Sequence, residues 1–167
     1  MIKIESIYEP VPIRCFDPVG GQYTVSLEIQ HNEDLGKWTY YEHDFPHFPG
    51  IDEIRTVIED QINLETGEEI MSGYVWNGMK VWLSLENQRN YESLLTSMQA
   101  ELDVLPVKLR FGTATEPKYH VFEDLEEYKE FYTGLQKHIT DCLSRGWARK
   151  DNVNYKIYES TKNSETT

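Results

Sequence analysis

The 167 residues include 29 acidic and 16 basic side chains, giving a formal charge of −13 and a pI near 4.7. A phosphate backbone is held by Lys and Arg that displace counterions, and an anionic membrane surface selects for the same charge, so composition argues against both partners. Eleven Tyr, six Phe and four Trp exclude a chain disordered throughout, since each large ring buries roughly 150–250 Å² in a core.

Taken in order, residues 2–8 read as a first strand, and Pro10 and Pro12 follow it. Proline offers no N–H to a ladder, so this stretch is a sheet edge or a connection. Ile13 to Phe16 reads as a short strand and Asp17-Pro18-Val19-Gly20-Gly21 as a turn. Tyr23 to Gln30 alternates most cleanly: Tyr23, Val25, Leu27 and Ile29 point one way, Thr24, Ser26, Glu28 and Gln30 the other. That pattern predicts a strand with one buried and one wet face. Asn32 to Gly36 turns the chain, and Lys37 to Phe45, with Trp38, Tyr40 and Tyr41, is the hairpin partner.

Ile51 to Ile62 carries a helical stripe of Ile51, Ile54, Val57, Ile58 and Ile62, with Asp52 and Glu53 at the positive helix end. Asn63 to Glu69 reads as a polar loop. Gly73 to Leu83 then places Asn77-Gly78 between two apolar runs. A type I′ turn needs φ > 0 at both central residues, so this is a hairpin in which Trp76 faces Met79 and Tyr74 faces Val81. Each such cross-strand pair adds roughly 0.2–1 kcal/mol.

Ser84 is the N-cap of a helix from Leu85 to about Glu101, with a stripe of Tyr91, Leu94, Leu95, Met98 and Leu102. Val107, Leu109 and Phe111 alternate with Lys108 and Arg110 in a strand; Gly112 to Lys118 is its loop and Tyr119 to Phe122 its return. Asp124 with Glu127 forms a capping-box pattern for the longest helix, whose stripe runs through Tyr128, Phe131, Leu135, Ile139 and Cys142 to a stop at Gly146. Tyr155 to Tyr158 reads as an edge strand.

The expectation is an α+β fold: a small N-terminal antiparallel sheet, then a hairpin–helix–hairpin–helix (ββαββα) half. By domains, residues 1–50 form an antiparallel β region, residues 51–151 an α+β domain with two hairpins and two to three helices, and residues 152–167 an extended polar tail. Cys15 and Cys142 are isolated thiols, not a disulfide framework. Met1 to Ser6 lacks the apolar run of a signal peptide. No stretch approaches the roughly 20 apolar residues of a membrane helix, so synthesis and folding in a cytoplasm, without membrane insertion, is expected.

For chemistry, His43, Asp44 and His47 are the best metal candidates, since imidazole and carboxylate suit zinc or iron. Pro46 interrupts them, and a polar hairpin end is the favoured reading. Cys142 with His138 has thiolate–imidazole spacing, but Cys142 lies on an apolar stripe where a thiol packs as a small hydrophobe. His120 and Glu123 have no third group for a triad. Glu68-Glu69 and Glu126-Glu127 read as solvated faces, and Tyr40, Tyr41, Trp76 and Trp82 as packing before sugar stacking. No phosphate loop, dinucleotide glycine fingerprint or nucleophile elbow occurs. The expectation is no catalytic, metal or cofactor residues and no enzyme. Trp147 stands apart: it lies beyond the helix stop beside Arg149 and Lys150, and Trp and Arg are enriched at interface hot spots. These three, with Tyr155 and Tyr158 of the final strand, are the interface candidates.

The run Gly73-Tyr74-Val75-Trp76-Asn77-Gly78-Met79-Lys80-Val81-Trp82-Leu83, followed by Glu86-Asn87-Gln88-Arg89 at a helix start, resembles a small uncharacterised family. So do Leu105-Pro106-Val107-Lys108-Leu109-Arg110-Phe111-Gly112 and the Phe131-Tyr132 helix ending at Gly146-Trp147. This family is found in tailed bacteriophages and prophages of gut anaerobes, crAss-like phages among them. The resemblance covers residues 71–151 well and Tyr23–Phe45 loosely. It marks a fold and carries no catalytic residues. It implies a virion protein, or one aiding assembly, of the tail, tail-fibre or capsid-fibre apparatus. Its partners would be other virion proteins and further copies of itself in a homo-oligomer. A small host-surface hydrolase or carbohydrate-binding module is the alternative.

Overall fold

A computed structural model of the chain, described here over Met1, residues 3–102 and residues 104–159, is α+β. Ile2 of the expected first strand and the polar tail from residue 160 lie outside the described residues. The chain divides into two compact units: Met1–Asn63 with Ala148–Thr167, and Leu64–Trp147. The expected division at residues 50 and 151 differs from this one.

In the first unit, β1 (Lys3–Ser6), β2 (Ile13–Asp17), β3 (Gln22–Asn32) and β4 (Lys37–Phe45) form one antiparallel sheet in the order β1-β4-β3-β2. Ile13, Val25, Leu27 and Phe45 on one face pack with Ile54, Ile58 and Ile62 of α1 (Ile51–Gly73) and with Tyr158. The opposite face of β3 is less wet than its alternation implies: Thr24 and Ser26 are buried. The proline-rich connection covers them, with Ser26 Oγ donating to the Val11 carbonyl at 3.0 Å and the Ser26 amide to Pro12 at 2.9 Å. Alternation also fails after Leu27, where the register slips by one residue between Leu27–Tyr41 and Gln30–Thr39. Glu28 occupies this bulge at φ 49°, a left-handed conformation that costs a non-glycine residue about 1–2 kcal/mol.

Val153, Tyr155, Ile157 and Tyr158 complete this core, which corrects the expected edge strand. Tyr155 to Tyr158 is not a strand: Lys156–Glu159 is a short helix, α4. Tyr158 is buried and its hydroxyl donates to the Ser26 carbonyl at 2.9 Å.

In the second unit, β5 (Val75–Trp76) and β6 (Met79–Lys80) form the expected hairpin, with Trp76 opposite Met79. Asn77 and Gly78 both have positive φ, at 47° and 72°, as the type I′ turn demands. Ser84 caps α2 (Leu85–Gln99) by accepting from the Asn87 amide at 3.2 Å. β7 (Val107–Gly112) pairs with β8 (Pro117–Phe122), and α3 (Leu125–Asp151) follows. Asp124 accepts from the Glu127 amide at 2.9 Å, but the Glu127 carboxylate turns to His120 Nε2 at 2.8 Å instead of closing the box. Tyr74, Val81, Leu83, Tyr91, Met98, Phe111, Phe122, Tyr128, Phe131 and Leu135 make the core.

Two helices are longer than expected. The segment Asn63–Glu69 is not a loop but part of α1, which runs to Gly73. Gly146 does not stop α3, so Trp147 to Lys150 are helical. The reason is shared. A Cβ on Gly146 would lie 2.6 Å from Thr66 Oγ1, so Gly146 is a point of close helix approach, and tertiary packing outweighs its poor helix propensity.

Candidate functional site

The five interface candidates separate once placed. Trp147 is 58% exposed on α3. Arg149 is already engaged, its guanidinium donating to both oxygens of Glu28 at 2.9 and 3.2 Å, with the Glu28 side chain only 6% exposed. Lys150 donates to Asn63 Oδ1 at 2.7 Å. Tyr155 is half-buried, with the Arg55 guanidinium 5.0 Å above its ring. Tyr158 lies in the core, where burial raises its hydroxyl pKa well above the ordinary tyrosine range. The last four hold the first unit together, and a surface role is open in this structure to Trp147.

The imidazoles and carboxylates of residues 43–47 are used locally. His43 sits edge-on to Phe45, Asp44 accepts from Thr24 Oγ1 at 2.7 Å, and His47 Nε2 lies 2.9 Å from Glu53 Oε1. Glu53 also accepts from the Gly50 amide at 2.8 Å. That bond foremost, and His47 second, hold its carboxyl below the usual range. Among the described residues, no three of His, Cys, Asp and Glu gather to hold a metal ion.

Cys142 is fully buried, 3.6 Å from His138 Nε2 and 3.3 Å from Arg145 Nη2. Burial pushes its thiol pKa up, Glu69 adds to this and Arg145 opposes it. A raised pKa disfavours the thiolate, which is the nucleophilic form. The same residues explain why α1 extends: Arg145 donates to the Glu69 carboxylate, and His138 Nε2 lies 3.1 Å from the Glu69 carbonyl. Glu69 is therefore paired, at a site that stays half exposed to solvent.

A groove of about 510 Å³ in the second unit went unforeseen. Val81 and Phe111 are buried at its floor, Trp82 is 54% exposed, and Lys80 and Arg110 are the cations on its walls. Lys80 ends β6 and Arg110 lies in β7, and these strands approach each other. Lys80 and Arg110 are 30 positions apart, and no local periodicity brings two separate hairpins side by side. Of the other tryptophans, Trp76 packs edge-on to Phe131 at 5.6 Å and Trp38 stacks on His31 at 4.4 Å.

Among the described residues, no helix is long and apolar enough to cross a membrane. No family model, curated protein or solved structure matches the chain.

Proposed function

We propose that the chain is a non-enzymatic bacteriophage structural or assembly protein, made in the bacterial host cytoplasm and carried in the virion. It would act through contacts with other virion proteins, further copies of itself included, in or near the tail or a tail or capsid fibre. The phage context rests on the resemblance of residues 71–151 described above. The observation that carries the contact role is Trp147: an indole left 58% exposed on a regular helix. Large aromatic side chains in the open are the anchors that interface cores bury. Ile7, Tyr8 and Val11, exposed within five residues of the proline-rich connection, add apolar surface of the same kind. Mass spectrometry of purified virions tests the reading. It predicts peptides of this chain in the particles or, for an assembly factor, a specific pull-down of a virion component; absence of both rejects it.

One observation favours a carbohydrate-binding reading as second. On the sheet of the first unit, a hollow of about 190 Å³ is lined by Tyr8, Tyr40, Arg14 and Glu42, aromatic faces beside planar polar groups of the kind that hold a sugar ring. A glycan array with no binding that depends on Tyr40 would dismiss it.

A further inference from the structure

In a chain of charge −13, two cations meet at one groove beside an exposed tryptophan. Arg14, Arg55, Arg145, Arg149, Lys37, Lys129 and Lys137 are all in ion pairs. Lys80 and Arg110, like Lys3, Arg89, Lys108, Lys118 and Lys150, form none with any described residue, and these two line the same groove beside Trp82.

The groove is also set in place before any ligand arrives. The Asn87 side chain donates to the Trp82 carbonyl at 2.8 Å. On either side, the Val81 amide bonds Tyr74 and the Leu83 amide bonds Met71, at 2.9 and 2.8 Å. The opposite wall turns at Gly112, where φ is 81° and a Cβ would fall 2.3 Å from the Glu116 carbonyl oxygen. The volume of about 510 Å³ suits one small molecule.

We propose that this groove binds a small phosphorylated ligand bearing a flat ring, a nucleoside monophosphate by chemical class, with the phosphate on Lys80 and Arg110 and the ring against Trp82. Arginine offers a planar fork of donors to phosphate and lysine a compact point charge. An exposed indole face accepts any base by stacking. The net negative charge of the rest of the chain disfavours a polyanion, while one phosphate can be neutralised by two cations. This site is independent of the virion reading: it needs a single chain and no partner.

The test is isothermal titration of the full chain with adenosine monophosphate, adenosine alone and inorganic phosphate alone, at fixed ionic strength. The monophosphate should bind, with each half at least about tenfold weaker, because a tenfold step is the affinity of one modest contact. Lys80→Gln and Arg110→Gln should each weaken the monophosphate by about tenfold and leave adenosine unchanged, since each removes one charge-assisted bond. Trp82→Ala should weaken the monophosphate and adenosine but not phosphate, and Lys80→Arg should retain binding. All three side chains are exposed, and circular dichroism checks that each of the four variants is folded. The proposal is overturned if the monophosphate binds no tighter than phosphate alone, if the charge-removing variants bind as well as the parent, or if an acidic peptide competes at lower concentration.

Discussion

The two units solve the same packing problem with different residues and different chain distances. The second unit is continuous, from Leu64 to Trp147, and its core is a web of rings: Tyr74, Trp76, Tyr91, Phe111, Phe122 and Tyr128 all lie within 6.1 Å of Phe131, centroid to centroid. The first unit is discontinuous and aliphatic, with Ile54, Ile58 and Ile62 against Val25 and Leu27, and it is finished by residues more than a hundred positions away. Glu28–Arg149 and Ser26–Tyr158 are separated by 121 and 132 residues. The first unit is thus an aliphatic core closed by long-range polar bonds, while the second is gathered around one central ring.

Phe131→Ala should have the largest effect. Removing a fully buried Phe costs about 3–5 kcal/mol. Chemical denaturation should show that loss, and hydrogen exchange should rise first within residues 64–147. Equal acceleration in both units would mean that the two cores do not differ in the way described. Arg149→Ala comes next. It leaves the Glu28 carboxylate nearly buried without its cation, at a cost of about 1–3 kcal/mol, below the range for a fully buried pair because the Arg149 side chain is 36% exposed. Its exchange signature should fall in residues 1–63 and 148–159.

Gly146→Ala should destabilise by about 1–2 kcal/mol despite the better helix propensity of Ala, because the added methyl meets Thr66. In a Thr66→Ala background the same change should become neutral or stabilising. If Gly146→Ala stabilises the parent chain, the helices are not in close approach there.

The smallest expected effect is on pH dependence. Burial raises Tyr74 to about 12, and its hydroxyl donates to the Phe131 carbonyl at 2.9 Å. An unfolded tyrosine loses its proton near pH 10, so the folded state holds this proton while the unfolded state releases it. The contribution to stability is therefore complete below pH 10 and is lost as pH rises toward 12. Tyr74→Phe should lower stability slightly at neutral pH and flatten its decline between pH 10 and 12. An unchanged alkaline slope would show that Tyr74 is not buried as described.

The legible parts of the sequence were those specified within a few residues. Asn77-Gly78 fixed a turn because both positions need positive φ, Ser84 and Asp124 supplied caps, and the Tyr128–Phe131–Leu135 stripe fixed a helix face. What failed depended on partners far along the chain. Gly146 looked like a stop because its partner, Thr66, lies 80 positions earlier. Tyr155–Tyr158 looked like a strand because its role is to close a core begun at Ile13. Glu28 broke a clean alternation because a bulge turns it to Arg149. The groove at Trp82 was invisible for the same reason, whereas Trp147 could be singled out because a Trp beside two basic residues is uncommon in an acidic chain.

The central claim is that this chain works by presenting a surface to neighbouring proteins, with Trp147 as an anchor. The most direct measurement is a pull-down of phage-infected cell lysate with the full chain and its Trp147→Ala variant, with retained proteins identified by mass spectrometry. The account predicts that the parent retains a virion component and that the folded variant loses it. Retention of no virion component, or equal retention by both chains, would contradict it.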